Sequence, residues 1–268
     1  MSDIDLANIE AFCAELAEGG KAISMRYFRQ KTAFEQKEDL SPVTIADQSI
    51  EAYMRERIHA AFPDHGIVGE EMEAEEGGRY TWYIDPIDGT KSFISGMPFY
   101  GLLAALRDTE EDRTVFGMID IPAIGERWTG TGDAARFNGA PAKVSACTAL
   151  ADAQIYTTSQ DIFSDGDWQV YDRISRAARF RRFGGDCYIY GLLASGYIDL
   201  VIETSLKTFD FMALMPIIEG AGGIITDWEG RALTPQSDGR VVAAATRALL
   251  DEVLDMINGP GLARARQA

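Results

Sequence analysis

The run Trp82-Tyr83-Ile84-Asp85-Pro86-Ile87-Asp88-Gly89-Thr90 constrains the fold of this chain more than any other segment, because it sets an apolar stretch, a proline, two carboxylates and a glycine side by side. Residues 82–84 read as a short buried strand, and Pro86 disfavours helix at Asp85 and ends the strand in a turn. Asp85 and Asp88, three apart around that turn, can converge on one point. Gly89 lets the backbone approach a ligand closely, and Thr90 opens a helix whose unpaired amides face an anion. A strand, a turn and an aspartate-capped helix need no ligand, but capping does not explain the Gly-Thr after the second aspartate. Mg²⁺ takes few protein carboxylates and completes its octahedron with phosphate oxygens and water, so this run is equipped to hold Mg²⁺ against a phosphate.

Further carboxylates lie on either side. Residues 67–69 form a short apolar strand delivering Glu70, and Asp210 precedes an apolar-periodic segment over 211–221. Each alone is ordinary, since an acidic residue often ends a strand or caps a helix, as Asp210 is expected to do. The net charge of −17 repels nucleic acid and anionic membrane surfaces. It would also repel a phosphate substrate unless bound cations reverse the local field.

Cys13, Cys147 and Cys187 are scattered, with neither a disulfide framework nor zinc-ligand spacing, and read as reduced. The residues at the start lack a basic segment followed by an apolar one, and no stretch approaches the roughly 18 apolar residues of a membrane span, so a cytoplasmic location is expected. His59 falls in a helix and His65 in a Pro-Asp-His-Gly turn, and both read as structural. The acidic run over 70–78 reads as a solvated, mobile loop.

Ile9, Phe12, Cys13 and Leu16 fall at helical spacing, as do Ile50, Tyr53, Met54, Arg57 and Ile58, so two amphipathic helices precede the first strand. Residues 101–106, 115–121 and 127–129 read as an antiparallel set. From residue 149 the pattern alternates strand and helix: 154–158, 171–178, 180–183, 187–194, 197–202, 211–221, 223–226, 241–245 and 249–257. One catalytic unit of two packed halves, 1–148 and 149–265, is expected, with its site between them and a frayed tail over 259–268.

Taken together, Ser41-Pro42-Val43-Thr44-Ile45-Ala46-Asp47, Gly69-Glu70-Glu71, Asp85-Pro86-Ile87-Asp88-Gly89-Thr90, Phe209-Asp210 and Gly220-Ala221-Gly222-Gly223 resemble the inositol monophosphatase family of Mg²⁺-dependent phosphatases over nearly the whole chain. The closer likeness is to its histidinol-phosphate phosphatase branch, through Lys91-Ser92-Phe93-Ile94-Ser95-Gly96, Gly184-Gly185-Asp186-Cys187-Tyr188, Leu206-Lys207-Thr208-Phe209-Asp210-Phe211 and Ile225-Thr226-Asp227-Trp228-Glu229-Gly230. Thr208-Phe209 departs from the Pro-Tyr common in that branch.

The resemblance implies an α/β fold, the layered αβαβα sandwich of the inositol monophosphatase and fructose-1,6-bisphosphatase type, and a homodimer. It implies that Glu70, Asp85 and the Ile87 carbonyl hold one Mg²⁺, and that Asp85, Asp88 and Asp210 hold a second. Thr90 and Glu70 would then orient and deprotonate water, Asp47 would support Thr90, and the amides of Gly89 and Thr90 would grip phosphate oxygens. Asp186 stands where inositol-specific relatives carry a small residue; it can pair with a substrate ammonium, cap a helix, or do both. Glu203 matches a position that contacts substrate hydroxyls. The expected activity is hydrolysis of L-histidinol phosphate in histidine biosynthesis; a broad inositol-1-phosphate phosphatase and a non-catalytic metal-binding regulatory protein are the alternatives. No chemistry is assigned to Asp227, and Lys207 has no firm role.

Overall fold

The computed structural model describes residues 4–30, 34–36 and 42–259. Ser41 of the first motif and the tail beyond Gly259 lie outside the described residues. In chain order, α1 (Leu6–Tyr27), β1 (Phe34–Gln36), β2 (Pro42–Thr44) and α2 (Ile45–Ala61) precede a long meander. That meander is β3 (Gly66–Gly69), β4 (Tyr80–Asp88), α3 (Thr90–Ser95), β5 (Gly101–Asp108), β6 (Arg113–Ile121), β7 (Glu126–Gly130), β8 (Ala135–Phe137) and β9 (Ala140–Pro141). Then come β10 (Gln154–Thr157), α4 (Asp165–Ala177), β11 (Phe180–Phe183), α5 (Tyr188–Ala194), β12 (Leu200–Glu203), α6 (Thr208–Phe211), α7 (Leu214–Gly220), β13 (Ile224–Thr226), β14 (Val241–Ala244) and α8 (Arg247–Asn258).

Strands β3 to β9 form a seven-stranded sheet in sequence order, parallel at β3–β4 and antiparallel elsewhere. A five-stranded sheet has the order β11-β10-β12-β14-β13. Side-chain alternation shows how the layers stack. On β5, Leu102, Ala104 and Leu106 join the core under α1 and α2, whereas Leu103 and Ala105 face the core built from α5, α7, β12 and β14. On β12, Val201 belongs to that middle core and Leu200 and Ile202 to an outer one with α4 and α8. The order is helix, sheet, helix, sheet, helix: the αβαβα sandwich.

Because successive side chains on a strand point to opposite faces, a strand covered on both sides must be apolar throughout. Every residue of β5 is buried.

Three expectations need correction. Two short strands, β1 and β2, pair between the first helices. The segment over 211–221 is not one helix: α6 ends at Phe211 and α7 covers Leu214–Gly220, because Pro216 in the first turn of α7 has no N–H to give and its ring would collide with the Met212 carbonyl of a continuous helix. The strand anticipated from residue 197 starts at Leu200, after the left-handed turn at Gly196.

Candidate active site

Pro86 does not end β4, which runs on to Asp88. Asp85 pairs with Leu103 and Asp88 with Gly101, so three steps along β4 are matched by two along β5. This bulge decides the geometry of the site. In a regular strand, residues three apart face opposite ways; one extra residue restores the parity and turns both aspartates to the same side. The Ile87 amide donates to Asp85 Oδ1 at 2.9 Å and closes the turn. Gly89 follows in the left-handed region, φ 86°, as the cap of α3, so the amides of Gly89 and Thr90 stand at the helix opening.

Asp210 comes from the far side of the cleft, in the first turn of α6. Its Oδ2 accepts from the Lys207 amide at 2.6 Å, so it sits inside the helix and Lys207 takes the cap position expected for it. Carboxylate oxygens of Asp85, Asp88 and Asp210 lie within 4.8 Å of one another. Each aspartate has one oxygen held by a backbone amide, since Asp88 Oδ2 accepts from Cys187 N at the start of α5.

Among the described residues, no lysine or arginine forms an ion pair with any of the three. Burial and the neighbouring Glu70, Asp88 and Asp210 raise the Asp85 carboxyl well above the usual range. Burial with Asp186 and Asp210 does the same to Asp88, and burial raises Asp210. Three hard, mutually repelling oxygen donors without a protein cation suit a divalent metal ion.

The other candidates gather around this triad. β3 runs parallel to β4 with Gly69 opposite Ile84, so Glu70 follows beside Asp85; its charge is the largest of those that raise Asp85. Glu70 is not one of the three oxygens that meet within 4.8 Å. Asp47, fully buried, is in the first turn of α2, where its Oδ2 accepts from the Thr44 amide at 2.9 Å and from the Thr44 hydroxyl. Its Oδ1 lies 3.2 Å from Thr90 Oγ1, which is equally 3.2 Å from the Ile87 carbonyl. A hydroxyl has one proton to donate, so Thr90 serves one acceptor at a time.

Asp186 is not the cap of α5; Cys187 is. Gly184, Gly185 and Asp186 all have positive φ, and this reversal turns the Asp186 carboxylate back toward α3, where it accepts from the Ser92 hydroxyl at 2.6 Å. A Cβ on Gly89 would lie 2.7 Å from the Asp186 carboxyl, so glycine is required there by space as well as by φ. Burial raises the Asp186 carboxyl. Glu203 ends β12, accepts from the Thr158 amide at 2.7 Å and the Tyr190 hydroxyl at 3.0 Å, and is pushed up to about 7 by burial. A cavity of about 190 Å³ is lined by Asp88, Asp186, Glu203 and Asp210. A larger one, about 410 Å³, lies between α1 and β6–β7 and contains none of these residues.

The acidic loop after Glu70 is anchored, contrary to expectation. Glu51 accepts from the amides of Glu71 and Met72, and Glu75 is held by Arg55, His59 and backbone bonds to Ile67. Glu51 and Arg55, an i,i+4 acid–base pair on the buried face of α2, went unread; that spacing inside an apolar stripe was the available signal. His65 Nδ1 accepts from Trp82 Nε1 at 3.1 Å, a structural use of the ring.

The model of the inositol monophosphatase family matches residues 5–258. The bifunctional phosphatase IMPL2 of Arabidopsis thaliana is 43% identical over 249 residues, 91% of this chain and 71% of that protein. A histidinol-phosphatase of Chlorobaculum parvum is 36% identical over 233 residues, 85% of this chain and 89% of its own. The structure of an inositol monophosphatase from Zymomonas mobilis superposes with a TM-score of 0.86 at 39% identity, covering 95% of this chain and 99% of that one. The five-layer fold and these relatives define a phosphatase that acts on small phosphate esters. The chain belongs to the inositol monophosphatase family. Enzymes of this family are generally metal-dependent, and the Asp85–Asp88–Asp210 triad fits that need. Among the described residues, no helix is long and apolar enough to cross a membrane.

Proposed function

We infer that this phosphatase hydrolyses L-histidinol phosphate to L-histidinol and inorganic phosphate, with Mg²⁺ as its metal. The observation that carries this reading is Asp186, which lines one cavity with Asp88 and Glu203 and whose carboxylate is held beside Gly89 by the Ser92 hydroxyl. Acids on the alcohol side of the ester favour a cationic leaving group and penalise a second phosphate. Relatives named histidinol-phosphatase, at 31–36% identity, support the same substrate.

Glu70, Asp85, Asp88, Asp210 and the Ile87 carbonyl would hold the metal ions. When bound, Mg²⁺ lowers the pKa of water and neutralises charge on phosphoryl and leaving oxygens. Asp47 accepts the Thr90 proton and thereby leaves the lone pairs of that hydroxyl to orient the attacking water. Glu70 takes the water proton as the new P–O bond forms. The ester P–O bond breaks opposite, and the alcohol leaves with a proton from solvent. The Gly89 and Thr90 amides bind phosphoryl oxygens, and Asp186 and Glu203 bind the substrate ammonium. On this reading the enzyme serves histidine biosynthesis in the cytoplasm, as a homodimer whose protomer is one unit of two halves, 1–148 and 149–265.

The identity with the Zymomonas mobilis inositol monophosphatase favours a second reading, activity on inositol 1-phosphate. Steady-state comparison decides between them. Histidinol phosphate should have the higher kcat/KM, and Asp186→Ala should lower its advantage by about tenfold, the worth of one lost charged contact. Equal kcat/KM values, or a ratio unmoved by the substitution, would sink the histidinol assignment.

A further inference from the structure

We propose that Glu51 is a positioning residue: from α2 it fixes the backbone on both sides of Glu70 and so sets that carboxylate against the triad. This rests on the role given above to Glu70 at the metal site.

Glu51 is fully buried, on a face of α2 where Asp47 and Arg55 are the other charged residues among Ala46, Ile50, Met54 and Ile58. A carboxylate in such a place costs desolvation, and an apolar side chain would pack at least as well, so the charge needs a reason. The hydrogen bonds supply it. Glu51 Oε2 accepts from the Glu71 amide at 2.7 Å, and Oε1 accepts from the Met72 amide at 3.1 Å and from Arg55 Nε at 2.9 Å. Arg55 in turn donates to the Met72 carbonyl at 3.2 Å and to Glu75 Oε1 at 2.8 Å. The pair thus engages both the N–H and the C=O of Met72.

On the other side of Glu70, the contact is steric. A Cβ on Gly69 would fall 2.3 Å from Glu51 Oε1, so the Gly69 backbone rests directly on the carboxylate. Gly69 carries no positive φ, and the three atoms nearest to an added Cβ all belong to the Glu51 carboxylate. One side chain therefore touches residue 69 and bonds residues 71 and 72, on both sides of Glu70. The parallel register of β3 on β4 then directs Glu70 to Asp85.

The same helix face also carries Asp47, one turn earlier, with its oxygen on Thr90. α2 is a rail that places both residues assigned to the attacking water, Thr90 through Asp47 and Glu70 through Glu51.

The test uses the full chain with Glu51→Gln, Gly69→Ala, Glu70→Gln and a remote core control, Val253→Ala in α8. Amide hydrogen exchange at residues 69–72, Mg²⁺ binding by calorimetry and steady-state kinetics are read for each. Glu51→Gln turns an amide NH₂ toward a backbone N–H. Exchange at Glu71 and Met72 should accelerate at least tenfold, and Mg²⁺ affinity should fall about tenfold, as for other partners that orient metal ligands. KM for histidinol phosphate at saturating Mg²⁺ should stay within about twofold. Gly69→Ala pushes on the same contact with the Glu51 charge intact and should give the same pattern, which covers the case in which Glu51→Gln does not fold. Val253→Ala should lower stability with local exchange and Mg²⁺ affinity unchanged. If Glu51→Gln behaves like Val253→Ala while Glu70→Gln is impaired, Glu51 has only a structural role and the proposal is overturned. If Glu70→Gln itself keeps the wild-type Mg²⁺ affinity, the role of Glu70 is what fails, and the positioning role falls with it by a recognisably different pattern.

Discussion

Replacing an acid of the proposed metal site should make the metal-free protein more stable. Asp85 is 1% exposed, one of its oxygens lies within 4.8 Å of one each from Asp88 and Asp210, and among the described residues no lysine or arginine forms an ion pair with it. At an effective dielectric of about 20, two unit charges at that distance repel by about 3 kcal/mol. The acids escape part of this by taking up protons, so the net relief from Asp85→Asn is smaller, about 1–2 kcal/mol, or about 3–6 °C in Tm for a chain of this size. The sign with pH follows from the raised carboxyl. The folded protein binds more protons than the unfolded chain between the ordinary aspartate pKa and the raised one, so stability falls as pH rises through that window. The penalty is complete above the raised pKa and absent below about pH 4, the ordinary value. Thermal unfolding in chelator should therefore show Asp85→Asn melting above the wild type near pH 8, with the gain gone at low pH. Added Mg²⁺ should then raise the wild type past the variant, because a ligand stabilises only the state that binds it. A variant that melts below the wild type in chelator at high pH would show that these carboxylates do not strain one another, and the metal-site reading would lose its electrostatic basis.

Two further outcomes follow from other parts of the structure. Thr90→Val keeps the shape of the side chain but removes the hydroxyl between Asp47 and the Ile87 carbonyl; kcat should fall about 10²–10³-fold with Mg²⁺ affinity by calorimetry unchanged, and Thr90→Ser should recover most of it. Arg127→Met strands Asp120, whose partner sits at 2.6 Å and whose carboxyl burial already raises. Urea unfolding should show a loss of about 3 kcal/mol at high pH that shrinks as pH falls through the raised Asp120 pKa and is gone by about pH 4, the ordinary aspartate value, with KM unaffected.

The pairing of Asp85 with Asp88 was legible because its information is local. Asp85, Asp88, Gly89 and Thr90 fall within six residues, whereas Glu70 and Asp210 are ordinary alone and join them only through the family resemblance. The bulge was not readable in detail: Pro86 signals an interruption, but only pairing with β5 shows that the strand resumes with its parity changed. For Asp186 the sequence leaves a helix cap open beside an ammonium partner, because a polar residue after two glycines ordinarily caps; three consecutive positive-φ residues remove the cap. Glu51 escaped notice because a glutamate on an amphipathic helix usually faces water, and its partners Glu71 and Met72 are some twenty positions away along the chain. For the same reason residues 70–78 looked like a free acidic loop, when Arg55 and His59 of the preceding helix tether it.

The strict alternation along β5 has an evolutionary consequence. Leu102, Ala104 and Leu106 meet the layer that includes Ala46, Ile50 and Ile87 and so the helix that carries Asp47 and Glu51, while Leu103 and Ala105 meet the layer that includes Cys187, Tyr190 and Phe211 and so the seats of Asp88, Glu203 and Asp210. Drift at the even-numbered positions reaches the side of the site that handles water, and drift at the odd-numbered ones the side that faces the substrate cavity, so a single strand exposes two neighbouring sets of residues to different selection.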